Sequence, residues 1–296
     1  MKPAPFSYAR PSSLDEALDL LAEHGDEAKV LAGGQSLIPV MNFRLAQPAV
    51  VVDVNRVAGL DRLETPDGGG LRIGALVRQS RLEGEAEVGA RAPLLAAAVP
   101  WIAHPQIRNR GTVGGSLSHS DPKAELPAVM TALGARYKLA RRGGAAVAER
   151  WVPAGDFHRG LFSTALAGDE LLTEIEVPPW PAGSGAAFVE VARRRGDYAM
   201  VGLAATVRLD DGGRYADSRL VFMSVGDRPL PAAAARRLLG EVPSEALFAA
   251  VGEAAREEVE PTSDVHASAD YRRHLAGVLV RRALAAATAR AREAVR

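Results

Sequence analysis

Cysteine is absent from the 296 residues. That absence excludes a disulfide framework, a thiolate zinc site, an iron–sulfur cluster and a cysteine nucleophile within this chain. Any metal–sulfur chemistry the protein takes part in belongs to another subunit. A surplus of charge is missing too: 36 basic residues cancel 36 acidic ones. No basic block is interleaved with aromatics, so nothing points to a nucleic-acid groove or a polyanion partner. Lysine is scarce, four against 32 arginines in an alanine-rich chain, which reads as a composition bias and carries no functional weight. Long hydrophobic runs are lacking. The longest nearly apolar one, PLLAAAVPWIA from Pro93, is far short of a bilayer span, and the N-terminal MKPAPFSYARPSSLDEAL has no signal-peptide apolar core. The expectation is a soluble, cytoplasmic protein with no membrane span. Its length suffices for two domains and allows burial of roughly 75% of the unfolded surface.

The pattern that is present alternates short strands and helices. SSLDEALDLLAEHGD places Ser13 at an N-cap with Glu16 three residues on, Leu14, Leu18 and Leu21 on one face, and Gly25 at the helix end. A strand AKVLA, a glycine turn, a helix to about Leu45 and the β-branched run Ala49 to Asn55 then read as a small βαβ-type unit. A short hairpin is expected between Gly59 and Leu76. EVGARAPLLAAAVPWIA reads as a buried helix interrupted at Pro100, and HPQIRNRGTVGGSLSHSDPKAE as a long glycine-containing loop before a new helix. Strands follow at ARYKLAR, AAVAERWV and ELLTEIEVP. PPWPAGSG, Pro178 to Gly185, is the linker candidate. Beyond it, AAFVEVARRR, MVGLAATVRL and SRLVFMSVG are three strand-like runs followed by helices, an α+β arrangement.

Gly33 and Gly34 stand at a strand-to-helix turn. Glycines there permit positive φ and let an anion approach free backbone N–H groups. A lone GG pair is more often an ordinary tight turn. The second loop, Asn109-RGTVGGSLSHSDPKAE, holds another GG pair among the hydroxyl residues Thr112, Ser116, Ser118 and Ser120, and two such loops could hold the halves of a pyrophosphate. Neither matches GxGxxG or the Walker loop. Asp53, 19 residues beyond Gly34, reads as strand termination or capping more than as a ribose ligand.

AGGQSL at 32–37, GTVGGSLSHSDPKAELP at 111–127, GDELLTEIEVP at 168–178 and RRRGDYAMVGLAA at 193–205, four motifs in order, resemble the FAD-binding medium subunit of molybdenum hydroxylases, the carbon monoxide dehydrogenase and xanthine dehydrogenase group. The resemblance covers nearly the whole chain. It implies an α+β protein with a two-part FAD-binding domain of the vanillyl-alcohol oxidase type over 1–178, with subdomains of about 1–57 and 58–178. A smaller C-terminal domain over 185–296, with a three-stranded antiparallel sheet and helices, follows. It further implies that the backbone at Val30, Leu31, Ala32, Gly33, Gly34, Gln35, Ser36 and Leu37, with Thr112, Val113, Gly114, Gly115 and Ser116, binds the FAD pyrophosphate. Glu125 would reach the ADP ribose, Ile102 and Leu172 would lie against the flavin, and Tyr198 would approach its ring system. No catalytic side chain and no metal site are assigned to this chain. Implied partners are a small subunit with two [2Fe–2S] clusters and a large molybdopterin subunit, as a dimer of three-chain units. Electrons would then pass to NAD, a quinone or oxygen. The sequence departs from the family at Glu125, where Asp is commoner, at Ser116, where Asn is common, and at Val189 and Glu190, where some relatives carry a lysine.

The remaining residues have plainer readings. His104 and His119 read as hydrogen-bonded loop residues, since no second ligand stands at metal spacing. Ser118, His119 and Asp121, adjacent in sequence, give no reason for a triad. Arg193 to Arg195 read as a solvated strand end, with an inter-subunit ion pair as the alternative, and Trp101 and Trp180 as packing anchors. A free-standing flavoenzyme and a non-catalytic nucleotide-binding protein of the same fold remain as rival functions.

Overall fold

Ser13 starts the first helix. In the computed structural model, which describes residues 1–144 and 146–295, its hydroxyl accepts from the Glu16 N–H at 3.2 Å. The Glu16 carboxylate reaches back to the Ser12 N–H at 2.7 Å, so two otherwise orphan donors are satisfied reciprocally. Helix α1, Leu14–His24, stops at Gly25 with φ 48 and buries Ala17, Leu18 and Leu21. These pack against a three-stranded parallel sheet of β1 (Ser7–Ala9), β2 (Ala28–Leu31) and β3 (Val50–Asp53), ordered β1-β3-β2. Helix α2, Leu37–Asn42, forms the crossover between β2 and β3, so the βαβ unit is present. It ends three residues short of the expected Leu45. Arg44 takes φ 58, and Phe43 and Leu45 point outward with 63% and 80% exposure, so no apolar packing extends the helix.

The second sheet is antiparallel. It begins with the hairpin β4 (Leu63–Glu64) and β5 (Leu71–Gly74). Helices α3 (Gln79–Gly84), α4 (Ala86–Arg91) and α5 (Pro93–Ala98) follow. The expected single helix broken at Pro100 is thus broken earlier. Pro93 lacks the N–H that would continue α4 and disfavours helical geometry at Ala92, which adopts φ −142, ψ 64. Pro100 lies in a 3-10 turn, Val99–Trp101. After α6 (Pro105–Arg108), α7 (Val113–His119) and α8 (Glu125–Leu133), the chain adds β6 (Arg136–Gly143), β7 (Ala146–Pro153), α9 (Ala154–Phe157), the small pair β8 (His158–Gly160) and β9 (Ser163–Thr164), and β10 (Leu171–Val177). The sheet order is β4-β5-β10-β6-β7.

The third sheet, β11 (Ser184–Ala192), β12 (Ala199–Leu209), β13 (Tyr215–Met223) and β14 (Leu230–Pro231), has four antiparallel strands where three are expected. The fourth is two residues long, below any period signal, and its proline is at a sheet edge where a missing N–H is tolerated. Two helices complete the chain, α10 (Glu245–Glu258) and α11 (Ala269–Val295). Strand alternation buries both faces of this sheet. Ala187, Leu203 and Phe222 pack with Leu279, Val280 and Leu284 of α11. Ala186, Phe188, Ala204 and Met223 join the largest core with Leu95 of α5 and Val129 of α8. Trp101 and Trp180 are partly buried against that core. At Gly185, β11 touches α11 directly: an added Cβ would collide with the Ala287 carbonyl oxygen and lie 2.5 Å from the Ala291 nitrogen. Gly185→Ala is therefore expected to cost about 1–3 kcal/mol as overpacking. A thermal melt reads the effect, and an unchanged midpoint would contradict the close approach. Among the described residues no helix is long and apolar enough to cross a membrane.

Candidate functional site

The first glycine turn joins β2 to α2. Gly34 takes φ 74, a left-handed conformation that suits glycine. The N–H groups of Gly34, Gln35 and Ser36 donate to no acceptor among the described residues, while Gln35 Nε2 donates to the Gly33 carbonyl at 3.1 Å. Gly33 has a different reason to lack a side chain. Its Cβ would overlap the Arg110 carbonyl oxygen and approach Gly111 Cα to 2.9 Å. The expectation that both glycines clear space for an anion therefore needs correcting: Gly33 clears space for the second glycine segment.

That segment is not the long loop expected. Val113–His119 is helix α7, N-capped by Thr112, whose Oγ1 accepts from the Gly115 N–H at 3.1 Å. The N–H groups of Val113 and Gly114 donate to Val77 and Ala75 carbonyls at 3.0 and 2.8 Å, and that of Ser116 to the Thr112 carbonyl at 3.1 Å. Gly114 presses on Ala75, where an added Cβ would lie 2.8 Å from Ala75 Cα. Free N–H donors are thus concentrated on the first turn, and the second segment offers the partly buried Ser116 hydroxyl. Gly115 faces the first turn, with Ala32 Cβ 3.7 Å from where its own Cβ would be.

Two side chains that no motif singles out, Arg78 and Asn55, join the two turns. Arg78 donates through Nη1 to the Arg110 carbonyl and through Nη2 to Asn55 Oδ1 at 2.7 Å. Asn55 Nδ2 donates to the Ala32 carbonyl at 2.8 Å. Asp53 caps the 3-10 turn after β3, accepting from the Asn55 N–H at 2.9 Å, and receives the Tyr8 hydroxyl at 2.5 Å. Capping was the sequence-based reading of Asp53. A pocket of about 310 Å³ beside this network is lined by Asn55, Asp61, Arg56, Arg78 and Arg81.

A second group gathers beyond the far end of α7, whose seven residues span roughly 10 Å. Ser120 ends α7 with φ 52 and bonds His158 Nδ1 at 2.9 Å. Asp121 then accepts from the Lys123 N–H at 2.9 Å. Glu125, the first residue of α8, is pushed up to about 7, chiefly by burial and further by the Asp121 charge, against the pull of its own backbone N–H. Glu190 lies on the face of β11 that carries Ala186 and Phe188, opposite Gly202. Both its carboxyl oxygens are buried without a hydrogen-bond partner, and burial plus the neighbouring Glu125 raise it to about 8. Tyr198, 67% exposed as a residue, is raised to about 12 by desolvation of its hydroxyl and by the Asp121 charge. Ile102 and Leu172 are in the largest core, only 7% and 3% exposed. Buried Arg108 fixes the Ile102 turn, donating to its carbonyl at 2.8 Å while pairing with Glu83. His119 lies against Phe162, with ring centroids 5.0 Å apart, His104 packs under Gly196, and Arg193 to Arg195 are exposed past the end of β11.

These turns stand on a parallel unit packed beside an antiparallel sheet in an α+β protein. Residues 4–180 match the family described as the FAD binding domain in molybdopterin dehydrogenase. Residues 186–287 match the CO dehydrogenase flavoprotein C-terminal domain. The 6-hydroxypseudooxynicotine dehydrogenase complex subunit alpha of Paenarthrobacter nicotinovorans is 42% identical over 99% of this chain and 97% of its own. The caffeine dehydrogenase subunit beta of a Pseudomonas species is 40% identical over 98% and 97%. A solved structure of the carbon monoxide dehydrogenase from Hydrogenophaga pseudoflava superposes with a TM-score of 0.93 at 39% identity, covering 98% of this chain and 99% of that one. The chain belongs to the FAD-binding flavoprotein subunits of the molybdopterin-dependent dehydrogenases, and is an oxidoreductase subunit with FAD as cofactor.

Proposed function

We propose that this chain is the electron outlet of a cytoplasmic three-chain complex, itself paired as a dimer of such units. It would collect electrons from the [2Fe–2S] clusters of a small subunit after a large molybdopterin subunit has oxidised the substrate, and deliver them to NAD, a quinone or oxygen. The carrying observation is the direct contact of the two glycine segments, Gly33 on Arg110 and Gly111, and Gly115 beside Ala32. That proximity supports the reading that one ligand touches both. FAD, when bound, supplies two-electron storage that can be filled one electron at a time.

The chain's own residues bind and orient. Free N–H groups from Gly34 to Ser36, with Val30, Leu31, Ala32, Gly33 and Leu37 as their frame, would hold one phosphate. Ser116, framed by Thr112, Val113, Gly114 and Gly115, would hold the other. Glu125 would accept from ribose hydroxyls, Ile102 and Leu172 would wall the flavin, and Tyr198 would cover it. FAD-binding residues 1–178, as subdomains of about 1–57 and 58–178, would be followed by a C-terminal unit over 185–296. The family resemblance supports the division, although the Phe188 face of β11 shares the first unit's core. The test is purification together with the neighbouring subunits. The preparation should be yellow, and its flavin absorbance should bleach when the complex's substrate is added. Folded chain free of flavin would end the proposal.

A further inference from the structure

Arg78 occupies the N-cap position of α3, yet it does not cap that helix with its side chain. Its guanidinium fork spreads in two directions, one arm to the Arg110 carbonyl at the edge of the second glycine segment and the other to Asn55. Asn55 carries the connection on to the Ala32 carbonyl in the first turn, at 2.8 Å. Asn55 is itself fixed in rotation, because Asp53 Oδ1 accepts both from its N–H at 2.9 Å and from its Nδ2 at 2.6 Å. The Tyr8 hydroxyl holds the other oxygen of Asp53. The backbone reinforces the link, since the Gln79 N–H donates to the Gly111 carbonyl at 3.0 Å. The result is an unbroken line of hydrogen bonds from one glycine segment to the other.

The placement carries an electrostatic cost. Partial burial and the charge of Arg110 both disfavour the charged guanidinium, with Asp53 as the opposing influence. A side chain serving only as a surface ion pair would gain more elsewhere, whereas a planar fork with two fixed donor directions is what bridging two carbonyl-bearing segments requires. Lysine, a single point charge, could satisfy one arm at a time.

We propose that Arg78 is a positioning residue that sets the separation of the two glycine segments, so that both grip a single nucleoside diphosphate. This rests on the reading that the FAD diphosphate lies across the turns. Hydrogen bonds weaken steeply once donor and acceptor separate beyond about 3.2 Å. A small drift of one segment therefore forfeits one phosphate's contacts and leaves the other's intact.

The consequence is selective. The full chain, stripped of cofactor, is titrated with ADP and with AMP by calorimetry, for the unaltered protein and for Arg78→Met, Arg78→Lys and Asn55→Ala. The unaltered chain should prefer ADP. Arg78→Met should weaken ADP by about 10- to 100-fold while leaving AMP within about twofold of its original affinity. Arg78→Lys should fall between, and Asn55→Ala, which breaks the line at its other end, should repeat the selective loss. Should Arg78→Met fail to fold, the lysine and Asn55 variants carry the test. Equal weakening of ADP and AMP would mark Arg78 as merely structural and overturn the proposal. So would an unchanged ADP affinity. An unaltered chain that binds neither nucleotide would instead refute the diphosphate reading on which the proposal rests.

Discussion

Gly33→Ala is expected to yield a folded chain largely free of flavin, with FAD affinity lowered about 10- to 100-fold. The added methyl meets backbone, the Arg110 carbonyl oxygen and Gly111 Cα at 2.9 Å, and backbone cannot rotate away as a side-chain tip can. Overpacking of this kind costs about 1–3 kcal/mol, and every 1.4 kcal/mol is tenfold in binding. The strain is relieved only by separating the two glycine segments, so the cost falls on ligand binding. Gly34→Ala makes the useful contrast. Its Cβ would meet Leu31 Cδ1 at 3.2 Å and Ile38 Cγ1 at 3.3 Å, both movable, and its penalty is the left-handed φ of 74, about 1–2 kcal/mol. The measurement is the flavin-to-protein ratio after purification, followed by titration with FAD. Full flavin content in Gly33→Ala would mean that the contact between the turns does not govern binding.

Which of these features could be read beforehand follows from how local their causes are. The Ser13 cap, the Gly25 stop and the β2-α2-β3 unit rest on residues a few positions apart, and propensity and period report them. Helix α7 escaped because VGGSLSH carries two glycines that disfavour a helix, and their compensation is tertiary: Gly114 packs on Ala75, 39 positions away. The alanine-rich run around Pro93 has the composition of one continuous helix, so nothing local marks Pro93 rather than Pro100 as the break. The two glycine segments are legible from their chemistry as candidate phosphate turns, whereas the motifs at 168–178 and 193–205 signify only as part of a family pattern. Arg78, Asn55 and Tyr8 carry no signal in the sequence, since the bonds that link Arg78 to Arg110 and Asn55, Asn55 to Ala32 and Tyr8 to Asp53 span 23 to 45 residues. At Glu190 the sequence signals only a departure from a lysine. That it is a buried acid depends on tertiary packing, with α5 on β11 and α8 on the neighbouring strands β12 and β13.

The buried acids make stability fall as pH rises above neutrality. Glu190 and Glu125 are raised from an ordinary 4.5 to about 8 and about 7, each chiefly by burial. The unfolded chain releases those protons near 4.5, so between there and about 8 the folded state holds more protons and loses stability with each step upward in pH. His158, lowered by burial from 6.5 to about 4, and His119, lowered chiefly by burial, work the other way, but most of their contribution is in place by about pH 6.5. The interval from pH 6.5 to 8.5 is therefore dominated by the acids. Over it the Tm of the chain should drop by several degrees, corresponding to roughly 1–2 kcal/mol after allowance for screening. Glu190→Gln keeps hydrogen-bonding capacity without a titrating proton and should flatten most of the decline. The variant should thus be the more stable protein at pH 8.5 and lose that advantage at pH 6.5. The Asp121 charge facing Glu125 stays in place, so a shallower residual slope should persist. A flat wild-type profile, or a Glu190→Gln profile as steep as the wild type, would show that the orphaned carboxyl ionises freely and that the Phe188 face of β11 is wet around it.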